Sequence, residues 1–427
     1  MFIPEQNEIY NFLSKLFPIN RSISGSGVIE TLQLIKGVVP ELKIKSIPTG
    51  TTVYDWQIPE VWNVNEAFIK NEKGFKVVDF NKNNLHLMGY STPINQLMSK
   101  SELLPHLFFI QDIPDAIPYV TSYYKKNWGF CISKNQLANL GEGPFEVLID
   151  SNFSSGNLTY GEVIIPGTTD EEILLSTYIC HPSMANDNLS GPVILAYILK
   201  WLATIKDRKY TYRAVFIPET IGSIYYINKN IKILKNKVRA GFVLTCLGDE
   251  RNYSYLKSRS GNTLTDKVAM KVLKDLNVDF SIYPFTENGS DERQYCFPGV
   301  DLPIGLLMKS KFGEYPEYHT SLDNLNLVTK KGITDGFELI KAAIYTLESN
   351  EIYKINTICE PFLGKRNLYP EISTRNSEYQ VRDMMNVISH LDGSKDLLDI
   401  SDICDIKFKD TVDILNSLID NNLVAKI

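Results

Sequence analysis

The sequence predicts an α/β protein: a mostly parallel, mixed sheet covered by helices, with an inserted small β-rich domain and a C-terminal winged helix-turn-helix. Three observations predict it. Between residues 160 and 345, continuous apolar strands alternate with helical segments, the pattern of strands buried on both faces. Between about 50 and 150 the chain changes to short alternating segments broken by Pro, Gly and Asn. Residues 377–427 then read as three helices ending in a short strand, the order of a winged helix. The domains expected are therefore an α/β domain over 1–50 and 150–350, the inserted domain over 51–149, and a linker with the winged helix over 351–427.

Taken in order, residues 9–39 are helical around an interrupting loop at 20–27, which reads NRSISGSG. In the inserted segment, 53–56, 75–80 and 86–90 have the alternation of short strands. Buried strands are expected at 171–180, 210–218, 239–247 and 302–309, with helices at 192–205, 223–235, 264–276 and 330–348. In 351–427, nine Lys and Arg stand against thirteen Asp and Glu, a balance of -4. The candidate recognition helix, Lys409 to Leu415, carries Asp410 and Asp413, a poor surface for phosphates; protein contact or packing is the expected role.

At 427 residues the chain exceeds one ordinary core, and 44% hydrophobic residues can bury sizeable ones. A net charge of -6 favours neither nucleic acid nor anionic lipid. The first residues, MFIPEQNEIYNFLSKLF, lack the basic start and small-residue cleavage site of a secretory signal, and no apolar run reaches membrane-spanning length. A cytoplasmic protein with no membrane partner is expected. Six cysteines scattered singly predict reduced thiols rather than a disulfide framework or a zinc-cysteine cluster.

In open α/β sheets, ligands bind beyond the carboxyl ends of the strands. Applied here, that rule places His181 after strand 171–180, Glu219 after strand 210–218, and Tyr318-His319-Thr320-Ser321 after strand 302–309. Asp187 lies in the loop before a helix expected to open at Pro192. Imidazoles and carboxylates gathered on one rim are the ligand set of a catalytic zinc that keeps a position open for water. Each residue also has a plainer role available: Asp187 as a helix cap, His181 as a core histidine, His319 as a loop residue. His86, His106 and His390 have no such company.

These residues resemble the zinc aminopeptidase superfamily of phosphorylase/hydrolase-like fold, over roughly 160–345. Asp187-Asn188-Leu189-Ser190-Gly191 is similar to the family's Asp-Asn-x-Ser-Gly, whose Asp bridges two zinc ions. Tyr318-His319-Thr320-Ser321-Leu322-Asp323 is similar to its Tyr-His-Thr-x-x-Asp, which implies His319 as a ligand and Tyr318 as an oxyanion donor. Ser290-Asp291-Glu292 resembles its Ser-Asp-His. The whole chain resembles a group of bacterial aminopeptidase-like proteins with a small inserted domain and a C-terminal winged helix, which commonly accompany surface-polysaccharide biosynthesis genes. Residues 21–25 (RSISG), 178–183 (YICHPS) and 218–223 (PETIGS) carry that likeness.

The chain also departs from the superfamily. Ser183 stands where an aspartate normally orients the first histidine, and Glu219-Thr220 replaces a Glu-Glu pair that supplies a base and a ligand. Near the end of strand 239–247 an aspartate ligand is expected, and the chain reads Thr245-Cys246-Leu247-Gly248-Asp249. The resemblance therefore implies zinc, one or two ions, from the set His181, Asp187, Glu219 and His319, with one ion the economical case. If Glu219 is the base, it takes a proton from water while Tyr318 donates to the developing oxyanion; if it is a ligand, Asp291 or Glu292 replaces it. Asp291 and Glu292 are otherwise either a solvated acidic pair or a site for a substrate amine. The activity implied is hydrolysis of an amide or peptide bond in a small peptide or amino-acylated substrate. The alternative is a repurposed binding scaffold, with the winged helix serving a homo-oligomer or a protein partner.

Overall fold

The computed structural model describes residues 4–368 and 375–427. The chain forms two compact units: residues up to Thr265 with Phe280–Glu338, and Asp266–Asp279 with the chain from Leu339 onward.

The first unit is built on an eight-stranded mixed sheet. Its order is Lys43–Pro48, Asn157–Ile165, Thr211–Ile217, Glu172–Tyr178, Val238–Val243, Ile304–Met308, Ser254–Leu256, Ser281–Tyr283. The four strands expected from the sequence form its parallel centre, in register from Glu172 against Thr211 and from Gly241 against Ile304. Residues of Glu172–Tyr178 are buried on both faces, which explains the unbroken apolar run. The remaining four strands did not stand out in the sequence. Two have only three residues, and the other two pair antiparallel at one edge.

Helix Ser190–Leu202 is apolar on every side and buried at all but Lys200, so it lies inside the core. Its start is fixed by Gly191, where a Cβ would meet the Leu244 carbonyl oxygen at 2.1 Å and Thr177 Oγ1 at 2.6 Å. Only a residue without a side chain lets this helix begin directly over the strand ends.

The inserted segment forms a four-stranded antiparallel sheet in the order Lys76–Asp79, Val61–Lys70, Phe145–Ser154, Ile94–Met98. Phe145–Ser154 runs past the boundary expected at 149, because its pairing with Val61–Lys70 continues to Ser154. The inner face of this sheet, with Ile69, Val147 and Ile149, shares a buried cluster with Tyr178 and Ile217 of the large sheet.

The second unit holds helices Arg375–His390, Leu397–Ile403 and Phe408–Asp420 beside a three-stranded antiparallel sheet, Asp392–Asp396, Ile352–Ile355, Val424–Lys426. Two of those strands were not expected. Residues 266–279 join this unit although their sequence reads as part of the α/β alternation. Lys271 Nζ donates to the Ile406 carbonyl at 2.6 Å, and Asp275 accepts from the Phe408 N–H at 2.7 Å. Helix Phe408–Asp420 buries Phe408, Val412, Leu415 and Leu418 and exposes Lys409, Asp410 and Asp413. Among the described residues no helix is long and apolar enough to cross a membrane, and all six cysteines are free thiols.

Candidate metal centre

The strand-end rule brings the expected residues together. Strand Glu172–Tyr178 delivers His181, which is buried, and the turn that follows delivers Asp187 in the segment Ala185–Leu189. The loop after Ile304–Met308 delivers Tyr318 and His319. His319 Nε2 lies 3.0 Å from Asp187 Oδ2, and the ligand atoms of His181, Asp187 and His319 all lie within 4.8 Å of one another. Glu219, after Thr211–Ile217, stands with Oε2 3.9 Å from His181 Nε2 and forms a second such group with His181 and Cys180.

Electrostatics at this cluster favour ligands over cations. Burial drives the His181 imidazole down to about 4, so it is neutral with a lone pair available. For Asp187 burial alone would raise the pKa, but His181, His319 and the Tyr178 hydroxyl outweigh it and hold the carboxyl at about 2. Burial pushes Glu219 well above the ordinary carboxylate range, and the negative charges of Asp291 and Asp187 push the same way. Burial likewise raises Tyr318, which keeps its phenol protonated, and its ring stacks on His319 with centroids 3.9 Å apart.

The loop that carries Asp187 is clamped from below. Asp323 accepts from the Asn186 N–H at 2.6 Å, the Asp187 N–H at 2.9 Å and the Tyr315 hydroxyl at 2.9 Å. Asp249, the acid nearest the end of strand 239–247, is a brace: it accepts from Asn186 Nδ2, the Ser310 N–H and hydroxyl, and the Arg251 N–H. Tyr178 donates to Asp187 Oδ1, and Thr245 Oγ1 donates to the same oxygen at 3.2 Å. Residues 21–25 act as a strut. The buried Arg21 guanidinium donates to the His181 carbonyl at 2.8 Å and the Leu16 carbonyl at 2.6 Å, and Ser24 bonds the Tyr90 hydroxyl at 2.6 Å.

Asp291 and Glu292 are not on the rim. Both are fully buried: Asp291 Oδ1 accepts from the Thr220 N–H at 2.8 Å and the Ser223 hydroxyl at 2.7 Å, and Glu292 Oε1 accepts from the N–H groups of Gly289 and Ser290. Asp291 supports the turn that carries Glu219, and Glu292 holds its own loop. Sequence reasoning missed Tyr119, whose ring lies 5.2 Å from that of His181 and 5.1 Å from that of His319. Its signal was absent because it comes from the inserted segment, where no motif marks it.

Fold and site together define an aminopeptidase-like α/β protein carrying a winged helix. The chain belongs to the family described as a domain of unknown function, DUF4910, whose model matches residues 10–350; a winged helix-turn-helix model matches 351–426. It is 45% identical over 397 residues, 92% of this chain and 90% of the relative, to a Clostridium acetobutylicum protein named "Putative polysaccharide biosynthesis protein with aminopeptidase-like domain". A crystal structure of a "putative peptidase" from the same organism superposes with a TM-score of 0.92 at 42% identity, covering 99% of this chain and 96% of that one. The zinc aminopeptidase BSAP of Bacillus subtilis shares the fold, with a TM-score of 0.58 at 13% identity over 81% of this chain and 96% of that one.

Proposed function

We propose that the protein is a metal-dependent hydrolase that cleaves an amide bond in a small amino-acyl substrate, with one zinc ion held by His181, Asp187 and His319. The observation that carries this reading is the approach of those three ligand atoms, two imidazole nitrogens and one carboxylate oxygen, within 4.8 Å. That donor set suits zinc, which catalytic sites hold with three protein ligands and an open position. Zinc bound there supplies Lewis acidity toward a carbonyl oxygen and acidifies water.

The chain's own groups do the rest. Glu219, beside His181 and raised in pKa, takes a proton from water and returns it to the departing amine. Tyr318, held protonated, donates to the oxyanion. The relative's name supports a substrate from polysaccharide biosynthesis, such as an amino-acylated or N-acylated sugar precursor. The acidic exposed face of helix Phe408–Asp420 supports protein contact over nucleic acid, in a cytoplasmic setting.

Metal analysis of the purified protein together with Glu219→Gln tests this. About one zinc per chain is expected in both proteins, with hydrolysis reduced roughly 10²- to 10⁴-fold in the variant. A zinc-replete wild type that cleaves no amide, alongside a variant that keeps cellular function, would favour a binding scaffold. Thr220 in place of half of the superfamily's Glu-Glu pair, and the loss of the aspartate expected near the end of strand 239–247, motivate that second reading.

A further inference from the structure

The cleft beside the metal cluster has a volume of about 380 Å³. Trp56, Tyr119, Tyr123 and Tyr124 from the inserted segment form much of its wall, and Thr220 and Arg293 complete it opposite. Arg293 Nη2 donates to Thr220 Oγ1 at 2.8 Å, while its buried Nε–H has no acceptor among the described residues. Arg293 also forms no ion pair among them. The wall thus presents a guanidinium that meets no carboxylate at ion-pair distance among the described residues, although it lies in the field of Asp291 and Glu219, in surroundings of aromatic rings that weaken solvent screening.

An ammonium group finds no carboxylate on this wall apart from Glu219. Asp291 and Glu292 do not line the cavity, and their remaining oxygens are buried. Glu219, the carboxylate that does line it, stands against His181. No carboxylate other than that candidate catalytic group lines the cleft to pair with a free amino terminus, and the cleft offers a guanidinium to an anion.

We propose that Arg293 determines specificity by binding an anionic group, a carboxylate or a phosphate, on the substrate. The cleft then takes anion-bearing, N-acylated amides in preference to peptides with a free amino terminus. Arginine suits this because its charged, fixed N–H groups match planar or tetrahedral oxyanions. The bond to be cleaved rests on the hydrolase reading above; the binding does not, since Arg293 is no part of the metal cluster.

The test is therefore made on metal-free protein. The full chain, stripped with a chelator, is titrated calorimetrically with N-acetylglycine, inorganic phosphate and glycinamide. At least one anion is expected to bind, the tighter of the two identifying the source of the charge, with glycinamide weaker by about tenfold or more. Arg293→Met should lose roughly tenfold or more in anion affinity, while Arg293→Lys, which keeps the charge, stays within about fivefold of wild type. Should the Met variant fail to fold, wild type still decides the matter: anion affinity must fall as ionic strength rises, and glycinamide affinity must not. Undiminished anion binding by a folded Arg293→Met protein, or glycinamide bound more tightly than both anions, overturns the proposal. Anion binding without any amide hydrolysis in the zinc-loaded enzyme would instead count against the reaction assigned above.

Discussion

Replacing Asp323 with Asn tests whether the metal cluster is held by its supporting carboxylate. Asp323 accepts three buried hydrogen bonds, from the Asn186 N–H at 2.6 Å, the Asp187 N–H at 2.9 Å and the Tyr315 hydroxyl at 2.9 Å. An amide in its place keeps one acceptor oxygen and sets an NH2 against at least one of those donors. Each buried donor left unmatched costs about 1–3 kcal/mol, so a loss of roughly 2–4 kcal/mol is expected after partial relaxation. Because Asp187 is a proposed ligand and Asp323 bonds its peptide N–H, zinc affinity should also drop about 10- to 100-fold. Burial pushes Asp323 up to about 7, so the comparison is made at pH 8 or above, where wild type presents the carboxylate. Denaturant unfolding of the metal-free proteins gives the stability term, and competition with a chromophoric chelator gives the affinity. A variant within about 0.5 kcal/mol and twofold of wild type on both measures would refute the clamp.

Two further perturbations probe the fold. Gly191→Ala puts a Cβ 2.1 Å from the Leu244 carbonyl oxygen, a backbone atom that cannot swing away, and should destabilise by about 1–3 kcal/mol or more in thermal unfolding. Gly37→Ala, in helix Ser26–Val38 with nothing within 4 Å of the added carbon, should instead stabilise by about 0.4–1 kcal/mol. Glu162→Gln tests pH dependence: burial alone would raise Glu162, but bonds from Lys45 and Tyr226 and the charge of Arg213 hold it below its ordinary 4.5. A depressed folded-state pKa contributes stability that is present above about 4.5 and lost as pH falls through the lower value. The variant should therefore lose stability at pH 6 and show a flatter acid limb, read as unfolding midpoint against pH.

The sequence made the centre of the sheet legible because those strands are buried on both faces, which writes a continuous apolar run into the chain. The strand-end rule then converted that reading into His181, Glu219 and His319. The shortest strands escaped because three residues such as Ser254–Leu256 carry no period, and their pairing is decided by tertiary context. Arg293 and Tyr119 escaped for a different reason. Their importance lies in what stands opposite them across a cavity, and a linear pattern does not record that. Asp323 sat in a motif quoted for its neighbours, yet its work of holding backbone N–H groups became visible only in three dimensions.

The oxygens of Asp187 bear on how many metals this site can serve. A carboxylate that bridges two ions turns one oxygen to each, and here Oδ1 accepts from the Tyr178 and Thr245 hydroxyls while Oδ2 faces His319. Two further positions where the superfamily carries acids are also satisfied. Ser183 donates to the Phe17 carbonyl at 2.9 Å, and Thr220 Oγ1 accepts from Arg293 at 2.8 Å. A site that had merely decayed from two metals would be expected to keep buried groups without partners at the lost ligand positions, each costing stability. Instead Ser183 bonds to a backbone carbonyl, Thr220 to Arg293 and Thr245 to Asp187. That pattern agrees with the proposed reading of a single ion held by His181, Asp187 and His319, which would leave Glu219 available for proton transfer.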